Sequence, residues 1–100
     1  MPVIYTVLYP KGSVFDADYY ANKHMPMALE LLPESLLGYK VYSFPDDAPF
    51  AIQCDTEFVS DEAFAGWKDG EVGKKLLEDL KKFSTEAPVI MRRTQLASST

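Results

Sequence analysis

The sequence predicts an α+β domain whose strands and helices follow one another in the order β-α-β-β-α-β. Three observations support this fold class. Residues 3–9 form an early run rich in β-branched and aromatic residues. Residues 50–58 alternate apolar and polar side chains. In the segment from residue 16 to about residue 32, apolar residues recur at intervals of three and four and so share one face. The order matches the split β-α-β, or ferredoxin-like, plan with a four-stranded antiparallel sheet.

The four strands are predicted over residues 3–9, 37–44, 50–58 and 88–96. The first run is expected to be buried on both faces of the sheet. The second and third runs flank a proline-rich turn at residues 45–49, which indicates a hairpin. The third run alternates most clearly, which predicts one face toward the core and one face toward a more polar surface.

Two helical segments are predicted between these strands. Asp16 is the expected N-cap of the first, which extends to about residue 32. Pro26 cannot donate a backbone hydrogen bond, so we expect a kink or a break just after His24, unless this proline starts a new helical turn. The second segment is predicted to begin at Ser60 and to pause at Gly70. One face of the first helix is expected to carry Tyr20, His24, Met27 and Leu31.

One hundred residues predict a single domain, over residues 1–96, with a frayed tail at residues 97–100. The net charge of -5 argues against nucleic acid and anionic membrane surfaces as partners. No apolar run is long enough to span a bilayer, and the N-terminus does not resemble a signal peptide. Cys54 is the only cysteine, so no internal disulfide is expected, and a cytoplasmic location is the expectation.

Apolar residues on both faces of the first strand predict an assembly. Helices in this fold cover one face of the sheet, which leaves the other face to be covered or solvated. We therefore expect a homodimer in which two copies pack sheet to sheet through the same surface. The alternating residues are Val3, Tyr5, Val7 and Tyr9 on one face and Ile4 and Leu8 on the other.

His24, the only histidine, is the first candidate for a catalytic residue. Histidine titrates near neutral pH and can remove a proton from an enolisable carbonyl or a phenol. The alternative is a hydrogen-bonded structural histidine. Tyr20, one turn earlier, would orient His24 or donate to a developing oxyanion. The alternative interpretation of Tyr20 is that it is an aromatic residue of the core without a role in catalysis.

The remaining candidates are strand tyrosines and two carboxylates. Tyr5, Tyr9 and Tyr42 are predicted to line a site for a flat apolar molecule, although dimer packing explains them equally well. Asp55 and Asp79 are candidate partners for the base, and both are expected to be exposed. No metal site is expected from a lone histidine, and no glycine-rich fingerprint indicates a nucleotide or flavin cofactor.

Several segments together resemble the EthD family of the dimeric α+β barrel superfamily. They lie at residues 7–10, 15–26, 37–38, 58 with 62–64, and 79–83, and the most specific contains Tyr-Tyr-x-x-Lys-His-Met-Pro. The resemblance implies a dimeric barrel. It leaves the reaction open, because proteins of this superfamily include dehydratases, decarboxylases, cyclases, isomerases, oxygenases without cofactors and haem-binding degraders.

These observations lead to one main expectation and two alternatives. The main expectation is a homodimeric enzyme without a cofactor, which uses His24 as acid or base on a hydrophobic aromatic or polyketide-like carbonyl or phenol. The reaction would be an isomerisation, dehydration, cyclisation or oxidation. The first alternative is a non-catalytic binding or carrier protein of a degradation pathway, and the second is a structural dimer without a pocket. Haem bound through one axial histidine stays open as a cofactor.

Overall fold

The structure, a computed structural model, describes residues 2–12 and 14–100, so the first residue of the predicted domain lies outside the described residues. The elements follow the predicted order, and the α+β, ferredoxin-like fold is confirmed. The strands are β1 (Val3–Pro10), β2 (Leu36–Ser43), β3 (Phe50–Phe58) and β4 (Val89–Arg93). The helices are α1 (Ala17–Tyr19), a π-helical segment (Tyr20–His24), α2 (Met25–Leu31), α3 (Asp61–Lys68) and α4 (Glu71–Leu80).

The four strands form one sheet in the order β2-β3-β1-β4, and each neighbouring pair is antiparallel. The register of β1 and β3 places Tyr5 opposite Thr56 and Val7 opposite Cys54. These residues lie on the face that the helices cover. Because successive side chains alternate across a strand, Leu8 and its neighbour Gln53 lie on the other face, called here the open face.

The irregularity that Pro26 predicts is present, but it lies before the proline and not after His24. Asp16 caps the helix as predicted, since its carboxylate accepts a hydrogen bond from the Tyr19 N–H at 3.0 Å. The helix then widens into the π-helical segment, in which the Met25 N–H donates to the Tyr20 carbonyl. Pro26 follows in the first turn of α2, where its missing N–H costs little. A π-turn of this kind changes the direction of the side chains that follow it.

A tight junction between α3 and α4 explains the predicted pause at Gly70. Ser60 caps α3 by accepting from the Ala63 N–H at 3.1 Å, and Gly70 is the N-cap of α4. A Cβ atom on Gly73 would lie 2.5 Å from the carbonyl oxygens of Trp67 and Lys68. Only glycine therefore allows α4 to approach the end of α3 this closely.

The last strand is shorter than the predicted run of residues 88–96. β4 ends at Arg93, and residues 94–100 form no helix or strand, with Leu96 almost fully exposed. Within the described residues, no helix combines the length and the apolar content that crossing a bilayer would need.

Candidate active site

A cavity of about 220 Å³ lies between the helices and the covered face of the sheet. Apolar side chains form most of its wall, which suits an apolar ligand. They include Met25, Ala28, Leu32, Leu36, Phe58, Phe64 and Leu76. The polar groups on the wall belong to Tyr9, Tyr20, His24, Thr56 and Trp67.

His24 is held in the wall of this cavity at the end of the π-helical segment. Its side chain is buried, and its Nδ1 atom lies 2.8 Å from Oδ2 of Asp79. An ionised carboxylate only accepts hydrogen bonds, so Nδ1 carries the proton and the lone pair is on Nε2. No described residue forms a hydrogen bond with Nε2. A ligand in the cavity can therefore meet a free imidazole nitrogen.

Asp79 corrects one expectation, because it is buried and not exposed. It lies in the last turn of α4 with only 6% of its surface accessible. Oδ1 accepts a hydrogen bond from the Tyr19 hydroxyl at 2.7 Å and lies 3.4 Å from the Lys82 ammonium. A buried carboxylate needs such partners, and spacing along α4 could not reveal that the partners come from the first helical segment.

The charge states of the pair follow from burial and hydrogen bonding. Burial lowers the pKa of His24, and the interaction with Asp79 offsets this only in part. Burial acts to raise the pKa of Asp79, but hydrogen bonds from His24, Tyr19 and Lys82 together keep that pKa below its usual value. Near neutral pH the pair therefore consists of a neutral imidazole and an ionised carboxylate.

The relative position of His24 and Asp79 is fixed by contacts at the end of α4. The Asp16 N–H donates to the Phe83 carbonyl at 2.7 Å, which joins the start of the first helix to the turn after α4. The Phe83 ring is buried, and its centre lies 4.5 Å from that of the His24 ring. This packing limits rotation of the imidazole and keeps it beside Asp79.

Tyr20 and Tyr9 also reach the cavity, but their hydroxyls are engaged elsewhere. The Tyr20 ring lies nearly parallel to the His24 ring, with 5.5 Å between their centres. Its hydroxyl interacts with the Tyr9 hydroxyl and the Cys54 thiol. Burial raises the pKa of both tyrosines far above the usual value, and it raises that of Cys54 to about 11. These three groups therefore stay protonated, and the two tyrosines form an aromatic wall beside His24.

The structure does not bring the other predicted site residues to His24. Tyr5 stacks on Phe64 and donates its hydroxyl to Asp61 at 2.6 Å. Tyr42 is 45% exposed, and the register of β2 and β3 places it on the open face of the sheet. Asp55 also lies on the open face, where its side chain is only 13% exposed, so the expectation that it is exposed was wrong. Its partners there are Thr6, Gln53 and Arg93, at 3.1, 3.0 and 3.1 Å.

Two residues of the site were missed by sequence reasoning. Tyr19, the first tyrosine of the Tyr-Tyr pair, holds Asp79, whereas the helical spacing selected only Tyr20. Trp67 lines the cavity, and its indole Nε1 is buried without a hydrogen-bond partner among the described residues. The sequence offered one signal that could have identified Trp67 as a site residue: it is the only tryptophan, and it lies on the same predicted helix as Phe64.

The cavity does not suit haem or a protein-held metal ion. Its volume is below the range of about 300–1,000 Å³ that is usual for pockets binding drug-sized molecules, and no lysine or arginine lines it to bind propionate groups. Among residues 2–12 and 14–100, no group of three or more His, Cys, Asp and Glu side chains is placed to hold a metal ion.

No protein-family model matches the sequence, and a search of curated proteins finds no significant match. Solved structures are similar to the chain over nearly its full length. An EthD-like protein from Ralstonia eutropha JMP134 has 26% identity and a TM-score of 0.83, covering 99% of this chain and 96% of that one. An ethyl tert-butyl ether D (EthD) family protein from Bacillus halodurans has 21% identity and a TM-score of 0.71, covering 96% and 100%.

A third similar structure is that of SnoaB, a cofactor-independent oxygenase from Streptomyces nogalater. It has 10% identity and a TM-score of 0.68, and the match covers 98% of this chain and 96% of that one. At these identities the comparisons establish the fold. The chain therefore has the EthD-family fold that the Tyr-Tyr-x-x-Lys-His-Met-Pro segment implied.

Proposed function

We propose that this protein is an enzyme in which His24 acts as a general base on a small apolar carbonyl compound or phenol. The observation that carries the proposal is the Nδ1 to Oδ2 distance of 2.8 Å between His24 and Asp79, with Nε2 left free in an apolar cavity. A carboxylate that fixes the tautomer of a neutral imidazole is an arrangement used in general base catalysis.

The proposed chemistry needs only proton transfer. Nε2 accepts a proton from a carbon next to the carbonyl, and the electron pair of the broken C–H bond moves to the carbonyl oxygen to form an enolate. Asp79 stabilises the resulting imidazolium because the two groups become an ion pair in a site of low polarity. Return of the proton to another carbon gives an isomerisation. Loss of a β-hydroxyl from the enolate, which leaves as water with the proton held by the imidazolium, gives a dehydration.

The size of the cavity narrows the class of substrate. An engineered cavity of about 150 Å³ holds benzene, so a volume of about 220 Å³ suits one ring with a short substituent, or at most two rings. This favours a small aromatic or cyclic ketone over an extended polyketide. The oxygenase with a similar fold supports the idea that this architecture can work without a cofactor.

A carrier protein is the second candidate function, and one observation favours it. His24 is anchored through Nδ1 to Asp79, which Tyr19 holds in turn, so the free Nε2 could serve only to hold the polar end of a bound molecule. The two functions differ in turnover, because a carrier binds the same ligands and changes none of them.

We further propose that the protein works as a homodimer packed through the open face. Val89 and Met91 are about half exposed there and lie opposite Leu8 and Thr6 of β1. Arg93 and Asp55 pair on the same face, so their charges would enter an interface already compensated. A second copy would cover the apolar side chains that the helices leave exposed.

Acetophenone, one ring with an enolisable methyl ketone, tests the catalytic proposal. We expect the protein to accelerate exchange of the methyl protons in deuterium oxide, followed by proton NMR. His24→Ala should lose the acceleration yet bind acetophenone, and added imidazole should restore part of the rate. Lys23→Ala, which changes an exposed neighbour, should exchange like the wild type. Binding of acetophenone without any acceleration by the wild type would favour the carrier function.

A further inference from the structure

Trp67 carries a buried polar atom that the proposed chemistry does not use. It is the only tryptophan of the chain, and it lines the cavity that His24 also lines. Its Nε1 atom is inaccessible to solvent, and no described residue accepts a hydrogen bond from it. A buried N–H without an acceptor is unfavourable, and such groups are rare in folded proteins.

The backbone around Trp67 holds it in place. Gly73 of α4 packs directly against the Trp67 carbonyl oxygen, so the end of α3 cannot shift without displacing α4. The indole ring packs edge to face on Phe64, with 5.9 Å between the ring centres. Because Nε1 is closed to a molecule the size of water, the accepting atom of a ligand reaches it only when a neighbouring side chain of the cavity wall shifts.

The other polar groups of the cavity wall are already paired. Thr56 donates its hydroxyl to the Tyr5 carbonyl at 2.8 Å, and the hydroxyls of Tyr9 and Tyr20 interact with each other. Two of the residues that line the cavity keep an unpaired group, namely the Nε1–H of Trp67, a donor, and the Nε2 of His24, an acceptor. A complementary ligand therefore carries one acceptor atom and one acidic hydrogen.

We propose that the Nε1–H of Trp67 donates a hydrogen bond to the carbonyl oxygen of the bound ligand. Trp67 thereby selects ketones over hydrocarbons of the same shape. As His24 removes the α-proton, the carbonyl oxygen becomes an enolate oxygen, and the hydrogen bond from Trp67 strengthens with the developing charge. The inference rests on the proposed function only in assuming that the same cavity binds the ligand.

The first test uses the indole N–H signal of the wild-type protein, which needs no assignment because there is one tryptophan. Acetophenone and ethylbenzene are titrated in parallel, since they differ in the carbonyl oxygen and share the ring. We expect acetophenone to shift the indole proton downfield in a proton–nitrogen correlation spectrum, and ethylbenzene to shift it much less. Equal shifts, or none with acetophenone bound, would mean that the N–H faces water or the Phe64 ring, and would overturn the inference.

The second test removes the donor. Replacing Trp67 with benzothienylalanine, which has sulfur in place of the N–H, retains the size of the ring, and Trp67→Phe is the simpler variant. We expect the preference for acetophenone over ethylbenzene to fall about five- to tenfold, with a lower rate of proton exchange. Ala65→Leu, which changes an exposed position of the same helix, should keep the preference. Thermal unfolding checks that each variant is folded.

The outcomes separate this inference from the proposed function. If the wild type exchanges the protons of acetophenone but the ligand preference survives in both Trp67 variants, the role of Trp67 is wrong and that of His24 stands. If the preference disappears in these variants while the wild type never accelerates exchange, Trp67 binds the carbonyl and the protein is a carrier.

Discussion

The imidazole of His24 and the carboxylate of Asp79 lie 2.8 Å apart although 55 residues separate them in the chain. The π-helical segment directs His24 toward α4, and the last turn of α4 places Asp79 beside it. Both side chains are buried, so the contact is little screened by solvent. The pair therefore sets the tautomer of the only histidine and leaves its second nitrogen for the cavity.

Asp79→Asn should lower the pKa of His24 further. The carboxylate opposes the effect of burial in the wild type, and a neutral amide removes that attraction while keeping a similar shape. The single histidine allows its ring protons to be followed directly by NMR titration. We also expect slower exchange of acetophenone protons, because the imidazolium formed by proton transfer loses its counter-ion. Glu78→Gln, an exposed neighbour on the same helix, is the matched control. An unchanged pKa in Asp79→Asn would contradict the assigned role of the pair.

The pH dependence of stability provides a second prediction. The pKa of His24 is about 6.5 in the unfolded chain and lower in the folded protein. At pH values between these two pKa values, His24 therefore binds a proton in the unfolded state but not in the folded state. The contribution of neutral His24 to stability is complete above pH 6.5 and is lost as the pH falls through the lower folded value. Urea unfolding at several pH values should show this loss in the wild type and not in His24→Ala. Identical pH profiles for the two proteins would contradict the prediction.

The sequence was sufficient for the element order and the ends of β3. Periodicity and capping are local properties, and Asp16 and Ser60 cap their helices as their positions predicted. The partner of His24 was not predictable in the same way. Asp79 resembles an exposed helical acid in the sequence, and only the packing of α4 against the first helical segment buries it. Tyr19 was missed for the same reason.

Tyr19→Phe should raise the pKa of His24 and destabilise the protein. The Tyr19 hydroxyl donates to Asp79 at 2.7 Å and so disperses the charge of the carboxylate. Without it, that charge acts more strongly on the imidazole, and one partly buried hydrogen bond is lost, at a cost of about 1 kcal/mol. NMR titration of His24 and urea unfolding measure the two effects. Tyr39→Phe removes a hydroxyl from a strand outside this network and should change neither. A lower pKa for His24 in Tyr19→Phe would contradict the prediction.

Ala28→Leu should block ligand binding by filling the cavity. Ala28 is buried in α2 and lines the cavity, so a larger side chain takes space that a ligand needs. We expect acetophenone to stop shifting the indole signal of Trp67, while the pKa of His24 stays lowered because the imidazole remains buried. Ala65→Leu adds the same volume at an exposed site on α3 and should bind acetophenone normally. Unchanged binding by a folded Ala28→Leu would place the ligand outside this cavity.

Met91→Glu should convert the proposed dimer into monomers. Met91 is 49% exposed on the open face, opposite Thr6, and sheet-to-sheet packing would bury it. A carboxylate there would lose its hydration without gaining a new partner, since Arg93 already pairs with Asp55. Sedimentation equilibrium should report a dimer for the wild type and a monomer for Met91→Glu. Leu29→Glu, an equally drastic change at an exposed position of α2, should remain dimeric if the interface is the open face. A monomeric wild type, or a Met91→Glu variant that stays dimeric, would exclude packing through this surface.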